Sequence, residues 1–251
     1  MIDTHAHLNY DEYMLSIDKV LNDIESNGVE KVIIPGVAPD TFDTISSLCE
    51  QYDMLYMALG VHPSECETYD ILAEKKILEF SYNKKLVAIG EIGLDYHYDS
   101  ENKQAQQKVF ISQLELAQKM NLPVLIHDRE AHEDCFHILQ DFKLKDVIFH
   151  CFSGTPKFAE KCIEQGYYIA VGGIVTFKNA KDLKESVKIV PLDKLLLETD
   201  CPYLAPVPFR GKVNTPAYLK YIAQEVANIK EINIDEVNYM TTINAERIFR
   251  F

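Results

Sequence analysis

No apolar run in this chain approaches the roughly 20 residues that a helix needs to cross a bilayer, which excludes a helical membrane span. No Pro/Gly/Ser-rich linker, composition shift, low-complexity tract or internal repeat divides it, so neither a fibrous array nor a string of modules fits. The opening residues, MIDTHAHLNYDEY, lack a basic stretch followed by an apolar one, and no secretory signal is expected. Six cysteines (Cys49, Cys66, Cys135, Cys151, Cys162 and Cys201) contain no CxxC pair, so a reduced cytoplasmic protein is expected rather than a disulfide framework. Positive charge is also scarce: 25 Lys and Arg against 39 Asp and Glu give a net charge of −14. A broad basic face for duplex DNA is thereby excluded. An anionic substrate must be met by a local site, by bound cations, or by both.

What is present is an ordinary globular balance, 47% hydrophobic and 25% charged over 251 residues. Eight runs rich in Val, Ile and Leu read as strands, at 1–7, 31–37, 55–62, 86–95, 123–129, 146–152, 167–175 and 194–200. Helical segments separate them. The clearest is 102–120, where Phe110, Leu114, Ala117 and Met120 share a face. Another opens with Thr215 as N-cap and Pro216 in the first turn, and a closing helix at 234–249 carries Val237, Met240 and Ile248. Nearly continuous apolar strands are buried on both faces, as in parallel sheets. Eight of them alternating with helices predict a (β/α)8 TIM barrel, α/β in class, as one domain over 1–251; a doubly wound open sheet is the other arrangement considered.

In such a barrel the chemistry sits at the C-terminal ends of the strands. There the sequence places His5 and His7, Glu91, His127, His150 and Asp200. Strand alternation puts His5 with His7, Ile89 with Glu91, and Glu198 with Asp200 on one face. An HxH pair alone recurs by chance. Four imidazoles and two carboxylates, at the ends of five separately inferred strands, are instead expected as ligands of divalent metal, because burying them unpaired would cost several kcal/mol each. Two ions are expected rather than one, since six ligands would close a single site, and Glu91 is the expected bridge. Mg, Mn, Zn and Fe all suit such ligands.

These residues and their neighbours resemble the TatD family of metal-dependent deoxyribonucleases, a branch of the amidohydrolase-like barrels. The resemblance rests on DTHAH at 3–7, GVHP at 60–63, GEIGLDYH at 90–97, PVLIHDREA at 123–131, HCFSG at 150–154, LLLETDCPYLAP at 195–206 and NAERIF at 244–249. It implies hydrolysis of DNA phosphodiesters, single strands or 3′ ends attacked in the 3′→5′ direction. It also implies one ion on His5, His7, Glu91 and Asp200 and the other on Glu91, His127 and His150. Two ions about 3.5–4 Å apart can activate water and stabilise both the attacking and leaving oxygens. Asp200 is then expected to orient the attacking water or take its proton, and a monomer without a membrane partner is expected.

Further substrate contacts are expected from His62 and Arg129 to phosphate, from Ser153 by its hydroxyl, from Asp95 and Tyr96 to a nucleotide, with Tyr96 stacking on a base, and from Arg210 to phosphate. Glu198, deeper than Asp200, is expected to orient a ligand histidine. His97, His132 and His137 fall off the strand pattern and are expected to hold no metal. The rivals are another amidohydrolase-like hydrolase (an aminoacyl-tRNA deacylase, lactonase, deaminase or phosphotriesterase) and a non-catalytic metal-binding module.

Overall fold

The computed structural model describes residues 1–98 and 100–251. All eight expected strands are present: β1 (Ile2–Asp3), β2 (Lys31–Pro35), β3 (Leu55–Ala58), β4 (Leu86–Asp95), β5 (Val124–Arg129), β6 (Val147–Phe149), β7 (Tyr168–Val171) and β8 (Leu195–Leu197). They form one sheet in sequence order, alternating with helices, and the fold is the (β/α)8 barrel class. Among the described residues no helix is long and apolar enough to cross a membrane. The chain packs as two compact units, residues 1–34 with 151–250, and residues 35–150 with Phe251.

The first unit carries β1, β2 as far as Ile34, β7 and β8. β1 runs parallel to β2, and β7 parallel to β8. β8 also meets β1: the Thr4 N–H donates to the Leu197 carbonyl at 3.1 Å, and Ala6 bridges Cys201 in parallel. Ile33, Ile34, Ile169, Leu195 and Leu196 are fully buried, as runs without polar residues require. The closing helix, Ile234–Phe249, starts where Asn233 accepts the Asp235 N–H and keeps the expected face, with Val237 and Ile248 buried.

The second unit carries the parallel strands β3 to β6. All ten residues of β4 are buried. Its register against β5 slips: Ile89 pairs with Val124 and Ile92 with Ile126, so β4 holds one extra residue around Gly90 and Glu91. Such a bulge re-aims the side chains it carries. The helix Lys103–Met120 follows, with Phe110, Leu114 and Ala117 buried, and ends at Asn121 in the left-handed conformation.

Most strands are shorter than their apolar runs. β1 stops at Asp3 and β8 at Leu197, so His5, His7, Glu198 and Asp200 lie beyond the ladder and are not aimed by strand alternation. Asp200 takes a left-handed backbone, φ +54, as does Cys151, φ +42. Turns aim these side chains, and the bulge does so for Glu91.

Candidate metal centres

In the first unit, hydrogen bonds between the β1 and β8 extensions bring His5, His7 and Asp200 together. The Asp200 N–H donates to the His5 carbonyl and the His7 N–H to the Cys201 carbonyl, both at 2.9 Å. Buried Asp3 ties the strands below: Oδ1 accepts the N–H groups of His5 (3.2 Å) and Thr199 (3.0 Å), and Oδ2 takes the Thr199 hydroxyl at 2.6 Å. Burial pushes the Asp3 carboxyl up to about 8 against the lowering effect of those bonds. The result sets Asp200 Oδ1 at 3.7 Å from His5 Nε2 and 3.5 Å from His7 Nε2. Tyr10 stacks on His7 at 5.0 Å, and Tyr203 meets it edge-on at 6.3 Å.

In the second unit, Glu91 Oε1 is surrounded by imidazole nitrogens: His127 Nδ1 at 2.6 Å, His150 Nε2 at 2.7 Å and His62 Nε2 at 3.7 Å. The other side of the His127 ring faces Asp95 Oδ2, 3.0 Å from Nε2. Burial opposes charge on His127, but Asp95 and Glu91 outweigh it and raise its pKa. Burial alone would raise Asp95; the bonds from His127 and from the N–H groups of Tyr98 and His97 instead hold it down, at about 2. Gln106 clamps the Asp95 main chain from both sides, its Oε1 taking the N–H at 2.9 Å and its Nε2 donating to the carbonyl at 3.0 Å.

The donor sets fit divalent ions. His5, His7 and Asp200 offer ligand atoms all within 4.8 Å of one another, as do Glu91, His127 and His150. The buried Nδ1 of His7 meets no hydrogen-bond partner among the described residues. Neutral imidazole and ionised carboxylate are the donors that Zn, Mn and Fe take. His62 and Asp95 also lie within ligand distance of His127. The Ser64 N–H donates to His62 Nδ1 at 3.0 Å, which leaves the proton of the neutral ring on Nε2, so this face is a donor rather than a metal ligand. Burial pushes His62 down to about 3, with nearby His127 adding to the effect, and the ring is neutral at ordinary pH.

The remaining expected contacts differ in their surroundings. Arg129 is half-buried with its guanidinium 4.5 Å over the Tyr98 ring. Tyr98, which sequence reasoning passed over, is 73% exposed. Tyr96 is turned the other way: its hydroxyl donates to Asp134 at 2.7 Å, Gln107 donates to that hydroxyl at 2.8 Å, and the Lys103 ammonium lies 4.1 Å over its ring. Ser153 is exposed in the loop after Cys151. Buried Glu198 accepts the Cys151 N–H through Oε1. Arg210 is exposed over the Phe177 ring. His97, His132 and His137 pair with Glu130, Asp128 and Glu133, outside both ligand sets.

A (β/α)8 fold with His/carboxylate donor sets of this kind is that of the metal-dependent hydrolases. The family described as TatD related DNase matches residues 2–250, and the chain belongs to that family. It is similar to the uncharacterized metal-dependent hydrolase YabD of Bacillus subtilis, 44% identical over 100% of this chain and 99% of the relative. YcfH of Escherichia coli, also described as an uncharacterized metal-dependent hydrolase, is 35% identical over 99% of this chain and 95% of its own length. The crystal structure of YjjV, a TatD homolog from E. coli, superposes with a TM-score of 0.95 at 31% identity, covering 100% of this chain and 98% of the other.

Proposed function

We propose that this metal-dependent hydrolase cleaves phosphodiester bonds in DNA, taking single strands from their 3′ ends, with one divalent ion held by His5, His7 and Asp200 and another by Glu91, His127 and His150. The observation that carries the reading is the gathering of these six donors into two ligand sets. The family description points the same way. Divalent ions at such sites make water acidic enough to act as a nucleophile near neutral pH and offset the negative charge of phosphate, which a chain of net charge −14 does not do by itself.

The protein's own groups supply the rest. The Asp200 carboxylate orients the attacking water and takes its proton. Glu91 fixes the His127 and His150 rings by facing both with one oxygen. Asp95 holds the opposite edge of His127, so it positions a ligand rather than touching the nucleotide. His62 offers its Nε2–H to a phosphate oxygen or to the leaving group. Arg129, supported by the Tyr98 ring, offers a forked donor to phosphate, and exposed Tyr98 takes the stacking role that the neighbouring Tyr96 was expected to have.

The test is a panel of labelled single-stranded DNA, duplex DNA, RNA, aminoacyl-tRNA and a lactone, each with Mg, Mn, Zn or Fe. Release of nucleotides from the 3′ end of single-stranded DNA, lost in Asp200→Asn and in Glu91→Gln with unchanged circular dichroism, supports the reading. Turnover of the lactone or aminoacyl-tRNA in place of DNA overturns it.

A further inference from the structure

Two segments of this acidic chain carry cations without carboxylates and lie together in the first unit. Residues 201–224 contain Arg210, Lys212 and Lys220 and no carboxylate, and residues 172–181 contain Lys178 and Lys181 and none, although 39 of the 251 residues are Asp or Glu. The two segments hold the loops after β7 and β8, both in the first unit, and run into the helices Lys181–Ile189 and Leu219–Lys230; the loops pack against each other. A Cβ on Gly173 would stand 2.0 Å from the Leu204 carbonyl oxygen, so only glycine allows the approach. The Val207 N–H donates to Thr176 Oγ1 at 2.9 Å.

Where they meet, the Arg210 guanidinium lies 3.6 Å over the centre of the Phe177 ring. Its side chain makes no hydrogen bond or ion pair among the described residues, and the same holds for Lys212. The loop that presents them is braced from beneath: Phe209 stacks on Tyr218 at 4.1 Å with the rings 6° from parallel, and Tyr221 closes edge-on at 5.0 Å. Tyr203, 53% exposed, opens the same loop and stands edge-on to His7. A guanidinium held flat on a ring keeps its N–H edges free for oxyanions and loses little freedom when it binds one.

We infer that the loops after β7 and β8 form a contact surface for a single-stranded polynucleotide, with Arg210 and Lys212 taking backbone phosphates and Tyr203 taking an unpaired base. The inference rests on the nucleic-acid reading above for its substrate class. Charge complementarity identifies a polyanion: two unpaired cations, Arg210 and Lys212, on a protein of net charge −14. The exposed ring selects the single strand, because a duplex hides its base faces. Three cations over two loops, Lys178, Arg210 and Lys212, suit a short stretch of backbone, not the broad face a duplex needs.

The test measures binding, not turnover, on the metal-loaded protein. The probe is a fluorescent 20-residue oligothymidine with a phosphorothioate backbone, which keeps the charge and resists hydrolysis. Doubly substituted Arg210→Gln/Lys212→Gln, at exposed positions, is expected to raise Kd about tenfold at 0.1 M salt and to reduce the slope of log K against log salt by about 1.4, the loss of two phosphate contacts. Phe177→Leu, which keeps every charge, is expected to weaken binding several-fold by releasing the guanidinium. Unchanged Kd and slope in the double variant overturn the inference, as does tighter binding of duplex DNA or of a polyglutamate peptide than of the oligothymidine. Hydrolysis of an unmodified strand by the parent protein is followed in parallel. Hydrolysis with unaltered binding in the double variant sinks this surface alone; oligothymidine binding that depends on Arg210 and Lys212, without hydrolysis, sinks only the proposed activity.

Discussion

Asp95 grips the His127 ring from the side opposite Glu91: its Oδ2 lies 3.0 Å from Nε2, while Nδ1 faces Glu91 Oε1 at 2.6 Å. A carboxylate behind a ligand histidine fixes the ring's orientation and raises its basicity, and its loss typically costs tenfold to a hundredfold in metal affinity. Asp95→Asn retains an acceptor for the His97 and Tyr98 N–H groups, so the turn is kept and only the charge is lost. Calorimetric titration of the metal-stripped protein with Mn²⁺ is expected to show affinity about tenfold weaker at one site. Equal affinity at every site would remove Asp95 from the metal centre.

His62 is expected to matter for turnover without holding metal. Because its pKa is pushed down to about 3, the ring is a neutral donor from pH 5.5 to 8.5, and no inflection in the rate profile over that range belongs to it. A hydrogen bond to a charged group contributes about 1.5–3 kcal/mol, so His62→Phe is expected to slow hydrolysis by tenfold to a hundredfold, equally at both ends of the range, with metal content unchanged. A loss confined to the acid side, or a fall in bound metal, would contradict this role.

Gly93 tests how tightly β4 and β5 approach. It has φ +146, and a Cβ there would lie 2.0 Å from the His127 carbonyl oxygen. Gly93→Ala must move β5 where it carries the ligand. A cost of about 3 kcal/mol corresponds to a fall in Tm of roughly 6–12 °C at this chain length. A melt within 2 °C of the parent would show that the strands yield freely.

The His132–Asp128 pair gives a pH signature away from the ligands. Nδ1 lies 2.7 Å from Asp128 Oδ2, and this bond raises the histidine's pKa against partial burial. A raised folded-state pKa means the stabilisation is fully present below the unfolded value, near 6.5, and disappears as pH rises through the folded one. His132→Gln is therefore expected to lower stability by a few tenths to about 1 kcal/mol at pH 5.5 and by less at pH 9, read from urea melts. A larger loss at pH 9 than at pH 5.5 would reverse the sign and refute the pairing.

The strands are legible because burial on both faces leaves an unbroken Val/Ile/Leu signal, and the spacing of Val237 and Ile248 marks the last helix. The candidate ligand residues are legible because polar groups ending apolar strands stand out. Their aiming is not. Alternation is the aiming rule the sequence offers for Asp200 and Glu91, whereas a left-handed residue and a one-residue bulge direct them; Gly90 and Gly93 flank the bulge, but no glycine neighbours Asp200. Tyr96 and Tyr98 are two residues apart in one loop, and which ring faces solvent depends on Gln107 in the next helix and on Asp134 beyond β5. The donor face of His62 is set by the backbone of Ser64, which no pattern of side chains reveals.

Cleavage of DNA by metal held at these six residues is read out by following a single-stranded oligonucleotide labelled at its 5′ terminus. The protein is stripped with chelator and then reloaded with Mn²⁺. The stripped protein is expected to leave the strand intact, reloading to bring stepwise loss of 3′ nucleotides, and reloaded Asp200→Asn to bring none. Cleavage that survives stripping, or an intact strand in the fully reloaded parent protein, would contradict it.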